Sequence, residues 1–366
     1  MKDILKVEHI EWVKLLDMKS IKYPLMISGV PSLELKELLR MGFKMDYLKL
    51  CSHTNKDSYG PLALKQELAK YYNVKVDNIA MCAGANMAIY LLCAGLLKSG
   101  DEIILESPCY GPMMRSAQSL GAKIVPLPRR IANNWQPDPD ELDRLITRKT
   151  KLILLTDLHN PSGVKMDEAV IRGLVKVAEK HQVYIAFDEV YKDFLFDRPR
   201  QPFCKSSPMA ITLSSLTKVY GLGLMRTGWI MASPKLTYLF SRTYDYMSAS
   251  DAYPAQMISL FCMRHISALI KRTKAIVGNK RQIIKDWIAQ EPRLQWREPA
   301  GGIVCFIKLP FKDSFRFQQH LFKRYQTAVV PGEYFGTPGY IRIASGTKPH
   351  LLKQGLKNIS AALRNW

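Results

Sequence analysis

No apolar run in this chain reaches the roughly 20 residues that a membrane-spanning helix requires; the nearest, Ala88 to Leu97, is too short. The beginning, Met1-Lys-Asp-Ile-Leu-Lys-Val-Glu-His9, is charged throughout and lacks the apolar region of a signal peptide. No Cys-x-x-Cys pair occurs. The seven cysteines, Cys51, Cys82, Cys93, Cys109, Cys204, Cys262 and Cys305, lie scattered, several inside apolar runs. That usage suits reduced core thiols in a cytoplasmic protein. Acidic residues are few, 32 against 53 lysines and arginines, for a net charge of +21. Yet no block of five or six like charges appears, and no helix-turn-helix, zinc-finger or RNA-binding motif. The charge therefore reads as a solvated basic surface favouring anionic ligands, rather than a nucleic-acid site. Gly221-Leu222-Gly223 lacks the third glycine of a dinucleotide fingerprint, which speaks against that class of enzyme.

The chain does have a sizeable core to build. Its 366 residues are 47% hydrophobic and 23% charged, values of an ordinary globular protein with two domains, or one large domain and a smaller partner. Apolar residues between 3 and 16 recur at helical spacing, and Ser32 is placed to cap a helix over Leu33–Met41. Leu62–Tyr72 reads as a further amphipathic helix. From Asn78 the pattern becomes regular. Short apolar runs at Asn78–Cys82, Glu102–Leu105, Lys123–Leu127, Leu152–Thr156, Val183–Phe187 and Met209–Leu213 alternate with helical stretches around Ala88–Leu97, Pro112–Leu120, Pro139–Ile146 and Asp167–His181. Continuous apolar strands separated by helices predict a mostly parallel sheet covered on both faces. After Ala232 the pattern changes to basic helices over 236–290. A smaller α+β unit follows, with strands near 301–309, 328–332 and 340–344 and a final helix Leu351–Leu363.

In open α/β sheets, ligands bind beyond the carboxyl ends of the strands. There the sequence places Tyr110, Asn160, Asp188 and Lys218. Lys218 leaves a buried strand in Ser214-Ser-Leu-Thr-Lys218, with Arg226 eight residues on. A desolvated lysine forms an imine with an aldehyde, and arginine with serine holds a phosphate. Taken alone, Lys218 reads first as a solvated loop lysine. Asp188-Glu-Val-Tyr191 ends another strand, where a carboxylate can balance a ring cation or simply cap a turn. Gly84-Ala85-Asn86 opens a helix after a strand, an arrangement that aims backbone N–H groups at an anion. Arg342, between Ile341 and Ile343, suits recognition of a carboxylate.

In this order, Tyr59-Gly60, Gly84-Ala85-Asn86, Pro108-Cys109-Tyr110, Asn160-Pro-Ser-Gly163, Asp188-Glu-Val-Tyr191, Ser215-Leu-Thr-Lys218, Arg226-Thr-Gly-Trp229 and Tyr340-Ile-Arg342 resemble the fold type I pyridoxal-phosphate enzymes, in particular class I/II aminotransferases. The resemblance runs from about Gly29 to the C-terminus. It implies a large domain with a mostly parallel seven-stranded sheet, over residues 45–245. A smaller α+β domain would be made from residues 1–44 together with 246–366. It also implies pyridoxal 5′-phosphate as cofactor, amino-acid and 2-oxo-acid substrates, no metal, and a homodimer with shared active sites.

By that resemblance Lys218 carries the cofactor as an internal aldimine and shuttles a proton, and Asp188 pairs with the ring nitrogen. Asn160 and Tyr191 bond the ring oxygen, while Tyr110 stacks on the ring face. Gly84, Ala85, Asn86, Ser215 and Arg226 hold the phosphate, with Tyr59 arriving from the partner subunit. Arg342 grips the substrate carboxylate and Gly29 lies against the substrate. Ser162 stands where the family has threonine, Asn86 replaces a charged or hydroxyl residue, and no second arginine is identifiable for a dicarboxylate side chain.

Rival readings remain. Ser215-x-x-Lys218 also matches the nucleophile motif of penicillin-recognising enzymes, but their Ser-Asp-Asn and Lys-Thr-Gly partners are missing. Decarboxylation, β-elimination, amino-acid oxidation or cyclisation of the capreomycidine-synthase kind would use the same residues. A non-catalytic sensor of the cofactor is the binding-module alternative.

Overall fold

Seven of the apolar runs form one sheet, and their order positions everything that follows. The structure, a computed structural model, describes residues 5–46, 59–196 and 201–366. A short strand β1 (Tyr23–Pro24) precedes the large sheet, which is built from β2 (Ile79–Cys82), β3 (Glu102–Ser107), β4 (Lys123–Pro128), β5 (Thr150–Thr156), β6 (Tyr184–Asp188), β7 (Ala210–Ser215) and β8 (Gly228–Met231). The spatial order is β2-β8-β7-β6-β5-β3-β4. Strands β4, β3, β5, β6 and β7 run parallel; β8 is antiparallel to β7, and β2, antiparallel to β8, runs in the same direction as the rest. Strand β8 is a run that the periodicity left unmarked, because Gly228 and Trp229 sit inside a glycine-rich stretch.

Side chains alternate across these strands, as a period of two requires. Leu105, Leu152, Leu154 and Leu213 pack on one face with helix Ala85–Leu96 and helix Pro234–Tyr244. Ile104, Ile153, Leu155, Ile185 and Phe187 pack on the other with helix Glu168–His181. Each fully buried aliphatic side chain of this kind stabilises the fold by about 1.5–3 kcal/mol.

A second, antiparallel sheet has the order β12-β13-β10-β9, from β9 (Gln295–Trp296), β10 (Val304–Lys308), β12 (Val330–Pro331) and β13 (Tyr340–Ala344). Ile341 and Ile343 enter its core with Leu352 and Ile359 of the final helix, Pro349–Arg364. The alternation therefore turns Arg342 to the opposite side. The N-terminal segment joins here, since β1 pairs in parallel with β11 (Thr327–Ala328) and Leu25 is part of the same core. Beyond β1 the segment runs on to the large sheet, where the Val30 N–H donates to the Lys218 carbonyl.

Two helix starts differ from expectation. The first helix, α1, spans only Glu8–Leu15. The next begins at Leu35 and not Leu33, because Glu34 and Glu37 form a reciprocal capping box in place of a Ser32 cap. Cys51 and Ser58 lie outside the described residues. Among those described, no helix is long and apolar enough to cross a membrane.

Candidate active site

A cleft of about 650 Å³, counted to its open mouth, lies beyond the carboxyl ends of the parallel strands. Strand β5 brings Thr156 and Asn160 to it, β6 brings Asp188, Val190 and Tyr191, and β7 brings Ser215, Thr217 and Lys218. Ala85 and Asn86 close one end with Arg226, and Tyr110 forms a wall. These twelve lining residues come from separate stretches between Ala85 and Arg226; the strand order brings the stretches together.

Asp188 is the sole carboxylate on the lining. It is buried, and its Oδ1 accepts the Val190 N–H at 3.0 Å. Burial pushes its pKa up to about 7, opposed by that hydrogen bond, while the Glu106 charge adds to the rise and Lys218 works against it. Such a carboxyl lacks a cation, and a protonated ring nitrogen supplies one. Lys218 is half-buried, and its Nζ donates to Ser28 Oγ at 3.2 Å. Gly29 lies on Lys218: a Cβ at Gly29 would stand 3.5 Å from the Lys218 carbonyl and 3.7 Å from its Cδ.

The end near Arg226 is shaped by missing side chains. Gly84, the residue before helix Ala85–Leu96, has φ +85° and ψ 171°, a conformation essentially reserved for glycine. A Cβ there would come within 2.5 Å of Arg226 Nη2, and a Cβ on Gly228 within 2.6 Å of the Gly84 backbone. Arg226 itself is left-handed, φ +50°, and its guanidinium donates to the Ala83 and Gly223 carbonyls. A helix N-terminus, a guanidinium and the Ser215 hydroxyl thus meet, as an anion requires. Gly84→Ala is expected to destabilise the protein by about 1–3 kcal/mol and to displace Arg226. Chemical denaturation and phosphate affinity measure the two effects separately.

Arg342 stands behind Asn160 instead of on the lining. It is buried, with Nη1 donating to Asn160 Oδ1 and Nη2 to the Met26 carbonyl, both at 3.0 Å. Its Nε has no partner, and among the described residues no carboxylate pairs with it. Desolvation lowers its pKa. A buried guanidinium without an anion is costly, and an anionic ligand offsets that cost.

Tyr110 accepts a side-chain hydrogen bond from Asn86, and burial pushes its hydroxyl up to about 12. His159 of the Asn-Pro-Ser-Gly turn is buried, with Nε2 3.0 Å from the Pro108 carbonyl and Nδ1 2.7 Å from Ser162 Oγ. The carbonyl accepts only, so Nε2 carries the proton and the Ser162 hydroxyl donates to Nδ1. Serine keeps the one hydroxyl that this turn needs, which is why its replacement of threonine is mild.

Tyr59 is 40% exposed, bonds Asp245 Oδ2 through its hydroxyl, and stays outside its own cleft. The sequence also left several residues near the cleft unmarked. Ser28 precedes Gly29 in a Pro/Gly-containing turn. Thr156 read only as the end of a strand. His9 of α1 is buried against Tyr334, Phe335 and the edge of Tyr110. Its pKa falls to about 3 through burial, with Arg342 and Lys218 adding to the shift, so it is neutral. A buried histidine on a mostly polar, short helix was its only signal.

The fold and cleft together define an α/β protein with a pocket suited to an anion beside a lysine. A sequence model of the family described as "Aminotransferase class I and II" matches residues 52–359, and the chain belongs to that family. Its cofactor is accordingly pyridoxal 5′-phosphate. The aspartate aminotransferase of Pyrococcus horikoshii is 27% identical over 82% of this chain and 80% of its own. Capreomycidine synthase of Streptomyces vinaceus is 28% identical over 76% and 73%. The solved structure of a PLP-dependent aminotransferase from Streptococcus suis 89-1591 superposes with a TM-score of 0.91, at 27% identity, covering 100% of this chain and 99% of that one.

The residues present fit that cofactor. The glycine cradle under Arg226 has room only while Gly84 and Gly228 carry no Cβ, and Asp188 is a buried carboxyl without a cation. Lys218 stands between them, an amine within the same cleft.

Proposed function

We propose that this chain is an aminotransferase that moves an amino group from an α-amino acid to a 2-oxo acid. The observation that carries the reading is Arg342, a buried guanidinium without an acid partner, joined by Asn160 to the cleft that holds Lys218 and Asp188. Both proposed substrates present a carboxylate next to the reacting carbon, and Arg342 can take either one in turn.

Pyridoxal phosphate, when bound, supplies an electron-withdrawing ring that stabilises negative charge at the substrate Cα. Lys218 would hold it covalently, and its Nζ removes and returns the proton at that Cα. Asp188 would be the carboxylate that keeps the ring nitrogen protonated. Asn160, whose Oδ1 is taken by Arg342, has its Nδ2 free to donate to the phenolic oxygen, and Tyr191 reaches the same region. Tyr110 would pack against the ring. The Ala85 and Asn86 amides beside Gly84, with Ser215 and Arg226, would take the phosphate. Gly29 leaves space over Lys218 that a side chain would fill, and Arg342 aligns the carboxylate. Ser28, the hydrogen-bond acceptor for Lys218 Nζ, orients the amine.

The N-terminal segment and residues after 245 would form the smaller domain, consistent with Leu25 in the core of the second sheet. A homodimer completes the site in this reading: Tyr59 and Leu224, 40% and 81% exposed, are surfaces for a partner, and Tyr59 would enter the partner's phosphate end.

Arg342→Gln is expected to raise KM for amino acids with little change in kcat. Loss of a charge-assisted contact of about 2–3 kcal/mol gives roughly a 30- to 150-fold fall in kcat/KM. An unchanged kcat/KM removes Arg342 from the site. A spectral screen of amino acids tests the reaction itself. Conversion to the pyridoxamine form supports transamination; release of carbon dioxide, ammonia or peroxide, or a cyclised product, supports another chemistry, of which the similarity to capreomycidine synthase is the specific reminder.

A further inference from the structure

We propose that Glu106 and Arg129, a buried ion pair outside the cleft, are positioning residues that set Asn160, and through it Arg342, for the substrate carboxylate. The inference rests on the assignment of Arg342 to that carboxylate. Both side chains of the pair are fully buried, and Arg129 Nη1 donates to Glu106 Oε2 at 2.7 Å. The pair fastens one residue, Thr156, at three atoms. Glu106 Oε1 accepts from the Thr156 N–H at 3.1 Å and from its Oγ1 hydroxyl at 2.5 Å. Arg129 Nη1 also donates to the Thr156 carbonyl at 3.2 Å.

Thr156 is the last residue of β5 and the hinge of the turn that presents Asn160. Burial pushes the Glu106 carboxyl up, and the Arg129 guanidinium against it opposes that push; as the carboxylate of this ion pair Glu106 only accepts hydrogen bonds, so the Thr156 hydroxyl points its proton at Glu106. Its lone pairs then face Asn160, whose main-chain N–H donates to Thr156 Oγ1 at 3.1 Å. From there the Asn160 Oδ1 receives Arg342 Nη1 at 3.0 Å. Arg129, Glu106, Thr156, Asn160 and Arg342 are all buried, so no solvent competes along the line.

A core salt bridge alone would not need this wiring. Burying two charges costs desolvation that apolar residues of similar volume avoid, and such replacements are often neutral or stabilising. What apolar residues cannot do is grip Thr156 at three atoms and fix the direction of its hydroxyl. Glu106→Gln keeps the shape but lets the side chain donate as well as accept, so that direction is lost.

The test compares the loaded wild-type enzyme with Glu106→Gln, the double variant Glu106→Leu/Arg129→Met, Thr156→Val and Arg342→Gln. The probe is the carboxylic acid that lacks only the amino group of the fastest-reacting amino acid, with binding measured by calorimetry. Positioning predicts that each of the first three variants binds the probe about tenfold more weakly, and that Glu106→Gln and the double variant, whose altered residues lie outside the cleft, show KM raised with kcat nearly unchanged. The double variant leaves no lone buried charge but orphans the Thr156 N–H and the Trp135 carbonyl, so its thermal unfolding is expected to fall; Thr156→Val, which removes one hydroxyl and no charge, carries the test if another variant does not fold. Wild-type affinity in these variants, with loss in Arg342→Gln, overturns the positioning role. A matched fall of kcat and affinity together with lowered stability also overturns it, since general damage then suffices. Wild-type affinity in Arg342→Gln overturns the assignment of Arg342 itself.

Discussion

Replacing Asp188 with asparagine is expected to stabilise the cofactor-free protein at pH 8 while lowering turnover of the loaded enzyme about 10²- to 10³-fold. The two effects have one cause. Burial raises the Asp188 pKa to about 7 from an ordinary 3.8. Between those values the folded protein holds a proton that the unfolded chain has released, so stability falls as pH rises from about 4 to about 7, then levels. The full difference is on the order of 4 kcal/mol. Asparagine keeps the Oδ1 acceptor for the Val190 N–H and never ionises, so it escapes that cost. Below pH 4 both proteins carry a neutral side chain and should unfold alike.

Loading reverses the balance. A ring nitrogen that keeps its proton gives the Asp188 carboxylate its missing cation, and the pH dependence of stability should flatten. Asparagine cannot hold that proton electrostatically, and preorganised charge of this sort contributes about 10²–10³ in rate. Thermal unfolding across pH 4–9, with and without cofactor, together with kcat, checks both halves. A cofactor-free Asp188→Asn protein that is no more stable at pH 8 than the wild type would refute the account of this carboxyl.

Lys218→Ala should abolish covalent attachment and reduce turnover by about 10⁴-fold, the upper end for a lost proton carrier. The protein should fold, because the local structure depends on the Lys218 carbonyl, which accepts from Val30, and not on its ammonium. Among the described residues its side chain has one hydrogen-bond partner, Ser28. The variant should also retain the cofactor non-covalently, since Arg226 and the glycine cradle do not touch the lysine. Borohydride followed by mass spectrometry should find the cofactor on Lys218 in the wild type and nowhere in the variant. A small added amine should restore part of the rate by supplying the missing base. Attachment at another lysine would transfer the role from Lys218.

The alternation of apolar runs with helices made β2 to β7 legible, because strands buried on both faces must be apolar along their whole length. Strand β8 escaped because Gly228 is there for its close approach to Gly84, a contact with no local sequence signature. Asp188, Lys218 and Asn160 were legible for the same reason as the strands: each follows directly on an apolar run, where α/β sheets place ligands. Glu106 follows directly on the run ending at Leu105, yet it stayed silent. An acid at a strand end reads as solvent-facing until Arg129, 23 positions on, is found against it. Ser28 and His9 had even less to show, since their neighbours lie far along the chain.

By itself the sequence determined the family and the cofactor, and put Lys218 forward as the lysine, because those depend on short ordered motifs and on the polarity of individual strands. Only the tertiary structure decided how Arg342 meets the cleft, through Asn160 and from a different sheet. It alone brought Ser28 to the lysine and closed Glu106 on Thr156. Hydrogen bonds span about 3 Å whatever the distance along the chain, so partners such as Arg342 and Asn160, 182 positions apart, become visible only once the strands are in order.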